Sequence, residues 1–266
     1  MNVLSSASVT GESAGVNGPN RVPEVTVEFW LIKLMAVTVG ETAADFLALN
    51  LGLGLQTTTY LMSAILIAVI GFQFAQKRYV PWAYWAAVVM VSVVGTLLTD
   101  NLIDTFGVPL ETTTIACTVI LALIFAAWYA SEKTLSIHSV VTTRREIFYW
   151  LAVLATFALG TAAGDYVSEA LGVGYLVTGI VFAAIIAAIA FAHYVLKLNA
   201  ILAFWLAYIF TRPLGASFGD LLSQPTEYGG MGFGTVGTSV MFLSVIAAIV
   251  IYMTVNNSAT DSTPVQ

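Results

Sequence analysis

Seven carboxylates stand inside apolar runs of this chain, and their spacing repeats. Asp45, Asp100, Asp165 and Asp220 each lie fifteen residues after a tryptophan: Trp30, Trp85, Trp150 and Trp205. Glu41 precedes Asp45 by four residues, while Asp104 and Glu169 follow Asp100 and Asp165 by four, with Gln224 in that place in the last copy. Four residues is about one helical turn, so each pair shares a face. A carboxylate facing hydrocarbon costs about 2.5–3.5 kcal/mol at a helix centre, so compensation is required. A bound cation would supply it, and so would protons, because crowded carboxylates cannot all ionise. Oxygen ligands without cysteine or a nearby histidine suit Mn²⁺, Mg²⁺ or Ca²⁺ better than zinc or copper. A third solution is structural: each acid bonds a threonine or an indole of a neighbouring helix and locks the bundle.

These acids need a membrane scaffold to position them. The chain of 266 residues is 59% hydrophobic and 9% charged, with mean hydropathy +0.90, more apolar surface than a water-facing domain can hide. Apolar runs near twenty residues recur, the length that crosses ~30 Å of hydrocarbon. The single cysteine, Cys117, excludes a disulfide framework. Gly52-Leu53-Gly54 and Gly172-Val173-Gly174 join helices and do not build a phosphate loop, so neither a nucleotide nor a nucleic acid is expected as partner.

The tryptophans head a ladder. Trp30, Gly40, Asp45, Gly52 and Thr58 recur as Trp85, Gly95, Asp100, Gly107 and Thr113, then as Trp150, Gly160, Asp165, Gly172 and Thr178. The fourth copy, Trp205, Gly215, Asp220, Gly232 and Thr238, carries five extra residues. Tryptophan spacings of 55, 65 and 55 point to duplication of a two-helix unit and then of the pair. The expected fold is all-α and transmembrane, with eight helices as four parallel two-helix repeats in pseudo-fourfold (2+2) symmetry. Repeats are expected over 27–77, 82–133, 145–197 and 200–254, joined at the middle by a linker over 134–144. Polar stretches over 1–26 and 255–266 read as disordered tails. Lys77, Arg78, Lys133, Arg144, Arg145 and Lys197 all fall between repeats, and the Gly-rich turns have no lysine or arginine. The positive-inside rule then puts both termini in the cytoplasm and the Gly-rich turns outside.

This repeated pattern over about Val27 to Met253 resembles a family of bacterial integral membrane proteins of unknown function, described as tandem-repeat membrane proteins. The resemblance implies the four-repeat architecture and a bacterial inner membrane, and it brings no activity with it.

Other residues draw expectations of their own. The four tryptophans suit interface anchors, and Lys33, three residues after Trp30, suits a snorkelling side chain. Gly40, Gly95, Gly160 and Gly215 suit close helix packing, and the four threonines suit helix caps. Arg212 breaks the symmetry: its counterparts are Val37, Ser92 and Phe157. Facing inward, it is a counter-charge or a gate; facing outward, it snorkels. No nucleophile and base come together, so no enzyme and no catalytic residue are expected. The leading expectation is a secondary transporter or channel for a cation, divalent in view of the ligand set, with the seven acids as its cation- or proton-binding residues. Alternatives are a proton-coupled exporter of a small solute and a non-transporting scaffold. The lipid bilayer and a small cation or proton are the expected partners, with the oligomeric state open.

Overall fold

The structure, a computed structural model, describes residues 18–261. Eight α-helices run in order: α1 Val27–Asp45, α2 Leu55–Ala75, α3 Pro81–Asp100, α4 Leu110–Glu132, α5 Thr143–Asp165, α6 Tyr175–Tyr194, α7 Ala200–Ser223 and α8 Gly234–Asp261. Local chemistry sets several of the starts. Thr26 caps α1 by accepting from the Phe29 N–H, and Thr142 and Asn199 cap α5 and α7 in the same way. Pro81 opens α3, where a missing N–H costs nothing. Gly54 and Gly174 precede α2 and α6 at φ 74° and 80°, a left-handed region that glycine enters freely. Capping therefore does not fall to the repeated threonines. Thr58 instead donates back to the Gly54 carbonyl at 2.8 Å, and the buried hydroxyls of Thr113, Thr178 and Thr238 have no hydrogen-bond partner among the described residues.

Seven of the eight helices are long and apolar enough to cross a membrane; α1 has the length but carries Glu28, Lys33, Glu41 and Asp45. The chain is thus a multi-pass membrane protein. Its odd and even helices have different jobs. Of the most apolar stretches of α3, α5 and α7, 56–67% is buried, against 17–22% for α2, α4, α6 and α8. The odd helices form an inner ring in the order α1, α3, α5, α7 and back to α1, and each even helix packs outside the next odd one: α2 on α3, α4 on α5, α6 on α7, α8 on α1. The ring closes the pseudo-fourfold arrangement.

Glycine makes that closure possible. A Cβ added at Gly40 would overlap Ser92, at Gly95 Phe157, at Gly160 Arg212, and at Gly215 Val37. These four partners are the residues seven places after each tryptophan. Every repeat thus lodges one side chain against the glycine of the previous repeat, around the whole circle. Close approach also allows helix-to-helix bonds such as Thr38 Oγ1 to the Gly215 carbonyl and Thr99 Oγ1 to the Ala158 carbonyl, 3.0 and 3.1 Å.

One end of the ring is sealed by rings of another kind. Phe29 packs on Trp85, Tyr84 on Trp150, Tyr149 on Trp205 and Phe204 on Trp30, with centroids 5.5–6.3 Å apart. Trp85, Trp150 and Trp205 are buried and Trp30 is half-buried. Trp85, Trp150 and Trp205 are therefore not interface anchors: their indoles turn inward, where each aromatic pair contributes about 0.5–1.5 kcal/mol beyond its buried area. Trp205 donates to the Leu135 carbonyl at 2.9 Å, a group of the 134–144 linker. That linker folds back over the aromatic end with Ile137 and Val140 buried.

Residues 18–26 join the linker there and do not form a free tail. Asn20 donates to the Ile137 carbonyl, Arg21 N–H to the Val140 carbonyl, and Arg21 pairs with buried Glu146 at 2.7 Å. At the other terminus α8 continues through 255–261 in place of the expected tail. The tail expectations over 1–17 and 262–266 lie outside the described residues.

Candidate functional site

Aligned on their tryptophans, the four inner helices stack into layers one turn, about 6 Å, apart. Seven residues on stand Val37, Ser92, Phe157 and Arg212; eleven on, Glu41, Thr96, Thr161 and Ala216; fifteen on, the four aspartates; nineteen on, Leu49, Asp104, Glu169 and Gln224. The first of these layers is solidly packed, with Arg212, Val37, Ser92 and Phe157 all fully buried. Above it the axis opens. A cavity of about 160 Å³ is lined by Glu41, Asp45, Asp100, Asp104, Asp165, Glu169 and Asp220, together with Gln224 and Tyr175 of α6. The structure thus brings all seven carboxylates to one chamber. Exposure grades upward: Glu41 and Asp220 are buried, Asp45, Asp100 and Asp165 half-buried, Asp104 and Glu169 exposed. The chamber opens at the end opposite the aromatic seal.

A π-helical turn shapes the rim. Phe46–Asn50, Asn101–Thr105 and Tyr166–Ala170 each follow an aspartate directly, and Asp104 and Glu169 stand within two of them. Such turns cluster at functional sites because the widened turn re-aims side chains. The fourth repeat has none. There α7 stays regular to Ser223, Pro225 ends it, and the five-residue insertion folds back through Met231 N–H to the Leu221 carbonyl and Gly232 N–H to the Gln224 carbonyl.

Arg212 forms the floor. Its guanidinium points inward and reaches three of the four residues in the layer above. Nη1 donates to Glu41 Oε2 at 3.0 Å, and Nη2 donates to Thr161 Oγ1 at 2.7 Å and to Thr96 Oγ1. Thr96 in turn donates to Glu41 at 3.2 Å. The guanidinium lies 5.5 Å from the Phe157 ring centre. A residue reaching three helices of a four-helix ring must sit close to its axis. Arg212 is therefore a counter-charge fixed at the bottom of an acidic chamber, and snorkelling is excluded.

One layer lower stands a second buried cation. Lys33 is fully buried and does not snorkel. Its Nζ donates to the Tyr208 carbonyl at 2.8 Å and lies 4.0 Å from the Tyr208 ring centre. Pro213 removes the N–H that would bond the Ile209 carbonyl, one residue beyond the acceptor of Lys33. Below Lys33, the hydroxyls of Tyr84 and Tyr149 meet at 2.5 Å. The Lys33 Nζ also lies 5.6 Å from the Phe157 ring centre, so aromatic faces and one carbonyl surround it.

Three site residues escape a reading of the chain in isolation. Thr96 and Thr161 hold Arg212, and Tyr175 closes the chamber wall. The register itself was the available signal for the threonines, since both stand where the first repeat has Glu41. Tyr175 carries no comparable signal.

Among the described residues no three of His, Cys, Asp and Glu gather tightly enough to chelate a metal directly. Four to seven charges in this volume repel strongly, by about 4 kcal/mol for a pair 4 Å apart at an effective dielectric of 20.

Comparison with curated proteins and with solved structures returns no match. A family model does match, in four tandem copies over residues 29–79, 83–134, 148–199 and 203–258. These copies coincide with the four helix pairs that build the ring and carry one chamber aspartate each. The chain therefore belongs to the family described as Repeat of Unknown Function (DUF347).

Proposed function

We propose that this membrane protein is a secondary transporter or channel for a small cation, divalent by the chemistry of its ligands. The observation that carries this reading is the convergence of all seven intramembrane carboxylates on one chamber, floored by Arg212 and open at one end. Ionisable groups inside a membrane bundle mark ion or proton pathways more often than they mark structure. The chamber's size separates the cation reading from solute export. At about 160 Å³ it falls below the roughly 300–1,000 Å³ of small-molecule sites, yet has room for an ion with some of its water.

Arg212 acts in this scheme as a tethered competitor. It neutralises Glu41 while the chamber is empty of substrate, and a divalent ion entering above it would compete for the same carboxylate. The packed layers below prevent leakage, so passage requires the inner ring to open at its aromatic end, as in alternating access. The basic connections all lie at that end. With a bacterial inner membrane as its location and both termini cytoplasmic, the chamber loads from outside.

The test is thermal melting of the purified protein against Mn²⁺, Mg²⁺ and Ca²⁺. A cation at a hundred times its Kd is expected to add about 2.7 kcal/mol of apparent stability. Exchanging Asp100 and Asp165 for asparagine together should leave the protein folded and abolish that response. A parent with no response to any of the three ions would sink the cation reading. A parent and double variant that respond equally would remove the chamber as its site.

A further inference from the structure

The pseudo-fourfold ring has four equivalent outer grooves at its aromatic end, and one of them is left unfilled by the described residues. Between α4, α5 and α7 the groove is filled: Trp128 stacks on Phe148 with ring centres 6.3 Å apart and meets Trp205 at 5.8 Å. Where the first repeat has Gln73, that side chain is buried against Glu146 and the Arg21 carbonyl. Where the fourth has Met253, the side chain packs on the core. In the third repeat the residues equivalent to Trp128 and Phe148 are His193 and Ala203, and they face Trp30. Two large rings have become an imidazole and a methyl group. The result is a cavity of about 630 Å³ between α1, α6 and α7.

The lining identifies an occupant. The body is apolar, with Leu31, Leu34, Ile186 and Ile189, and among the described residues no carboxylate lines it. Its polar end carries His138 and His193, beside Ser136. Lys197, in the connection that follows α6, donates to the carbonyl of Tyr194, itself a lining residue. The groove opens on the bilayer side, because α6 is an outer helix. An apolar slot whose one polar end is basic matches an amphiphile with an acyl chain and an anionic head. Its volume lies within the roughly 300–1,000 Å³ of ordinary ligand sites.

We infer that this groove is a binding site for one anionic phospholipid, with an acyl chain in the slot and the headgroup at His138, His193 and Lys197. The site has a route to the chamber. Thr211 and Leu214 line its inner wall and flank Arg212 and Pro213 in α7. A chain seated there packs against the turn that carries the floor of the acidic chamber. The lipid would thus stabilise the closed, Arg212-plugged arrangement.

The experiment uses full-length protein stripped of lipid in detergent, with phosphatidylglycerol as probe and phosphatidylcholine as the neutral-head comparison. Native mass spectrometry is expected to show one phosphatidylglycerol retained, and the melting temperature should rise with it. Introducing His193→Trp and Ala203→Phe, which recreate the filled groove, should remove both effects. Lys197→Glu leaves the slot intact and should weaken retention by at least about fivefold, the effect of one basic residue near a headgroup. The inference fails if the filled variant keeps its phosphatidylglycerol, if phosphatidylcholine is retained equally, or if K197E changes nothing. None of these outcomes depends on whether the chamber binds a cation.

Discussion

Replacing Arg212 with methionine is expected to cost about 3–5 kcal/mol of stability, the largest loss from any single substitution in the inner ring. The reason is the orphan it creates. Glu41 is 6% exposed and its Oε2 is held by Arg212 Nη1 and by Thr96. Without the guanidinium, a buried carboxylate keeps one hydroxyl and loses its charge partner, and Thr161 loses a donor. Exchanging Glu41 for glutamine in the same chain should recover most of that loss, since replacing both members of a buried pair is often nearly neutral. Arg212→Lys should fall between, because an ammonium cannot reach Glu41, Thr96 and Thr161 with one planar fork. Denaturation of the parent, the single variants R212M and E41Q and their double variant in one detergent gives the coupling directly. Additive losses from Arg212 and Glu41 would mean that the pair does not hold the chamber floor.

The second large effect belongs to Gly160. An alanine there has no space: its Cβ would overlap the Cβ and Cγ of Arg212 and touch Pro213 Cδ at 3.1 Å. Overpacking costs about 1–3 kcal/mol in an ordinary core. Here the displaced residue is the charge that neutralises Glu41, so the loss should reach the upper end of that range or pass it. Gly71 is the matched comparison, an exposed glycine in the outer helix α2 with nothing within 4 Å of an added Cβ. Gly71→Ala should be neutral or stabilising by up to about 1 kcal/mol, the difference in helix propensity. Melting curves with equal shifts for the two variants would contradict the lodging of Arg212 against α5.

The repeats made much of this architecture legible beforehand. Four identically placed aspartates in parallel repeats have to share a height in the membrane, and a closed ring of odd helices brings them to one axis. The turns at Gly52-Leu53-Gly54 and Gly172-Val173-Gly174 were also readable, because glycine acts locally; the caps were not, since capping was expected of Thr58, Thr113, Thr178 and Thr238 and falls to Thr26, Thr142 and Asn199. Angular direction was not readable. A membrane helix is apolar on all sides, so its pattern does not say which face turns inward. For that reason Trp85, Trp150 and Trp205 looked like interface anchors and proved to be the packed seal, and Lys33 looked as though it would snorkel. The basic connections argued correctly that the tryptophans lie at one end; they carried no information on rotation. Arg212 announced itself by breaking a fourfold pattern, and its partners Glu41, Thr96 and Thr161 are found by reading across the repeats at a single register. The π-helical turns after Asp45, Asp100 and Asp165 have no residue signature of that kind, and the fourth repeat carries Asp220 at the same register without one.

The most direct measurement is cation flux through the chamber itself. Purified protein in liposomes that contain a metal-quenched fluorophore should admit Mn²⁺ faster than protein-free liposomes do. Changing Asp100 and Asp165 to asparagine together should return the rate to the protein-free level while the reconstituted protein stays folded. The expected result is therefore parent flux that depends on the aspartates. Mn²⁺, Mg²⁺ and Ca²⁺ entry into parent proteoliposomes no faster than into empty ones, or entry that the double variant leaves unchanged, would contradict a cation path through the carboxylate chamber.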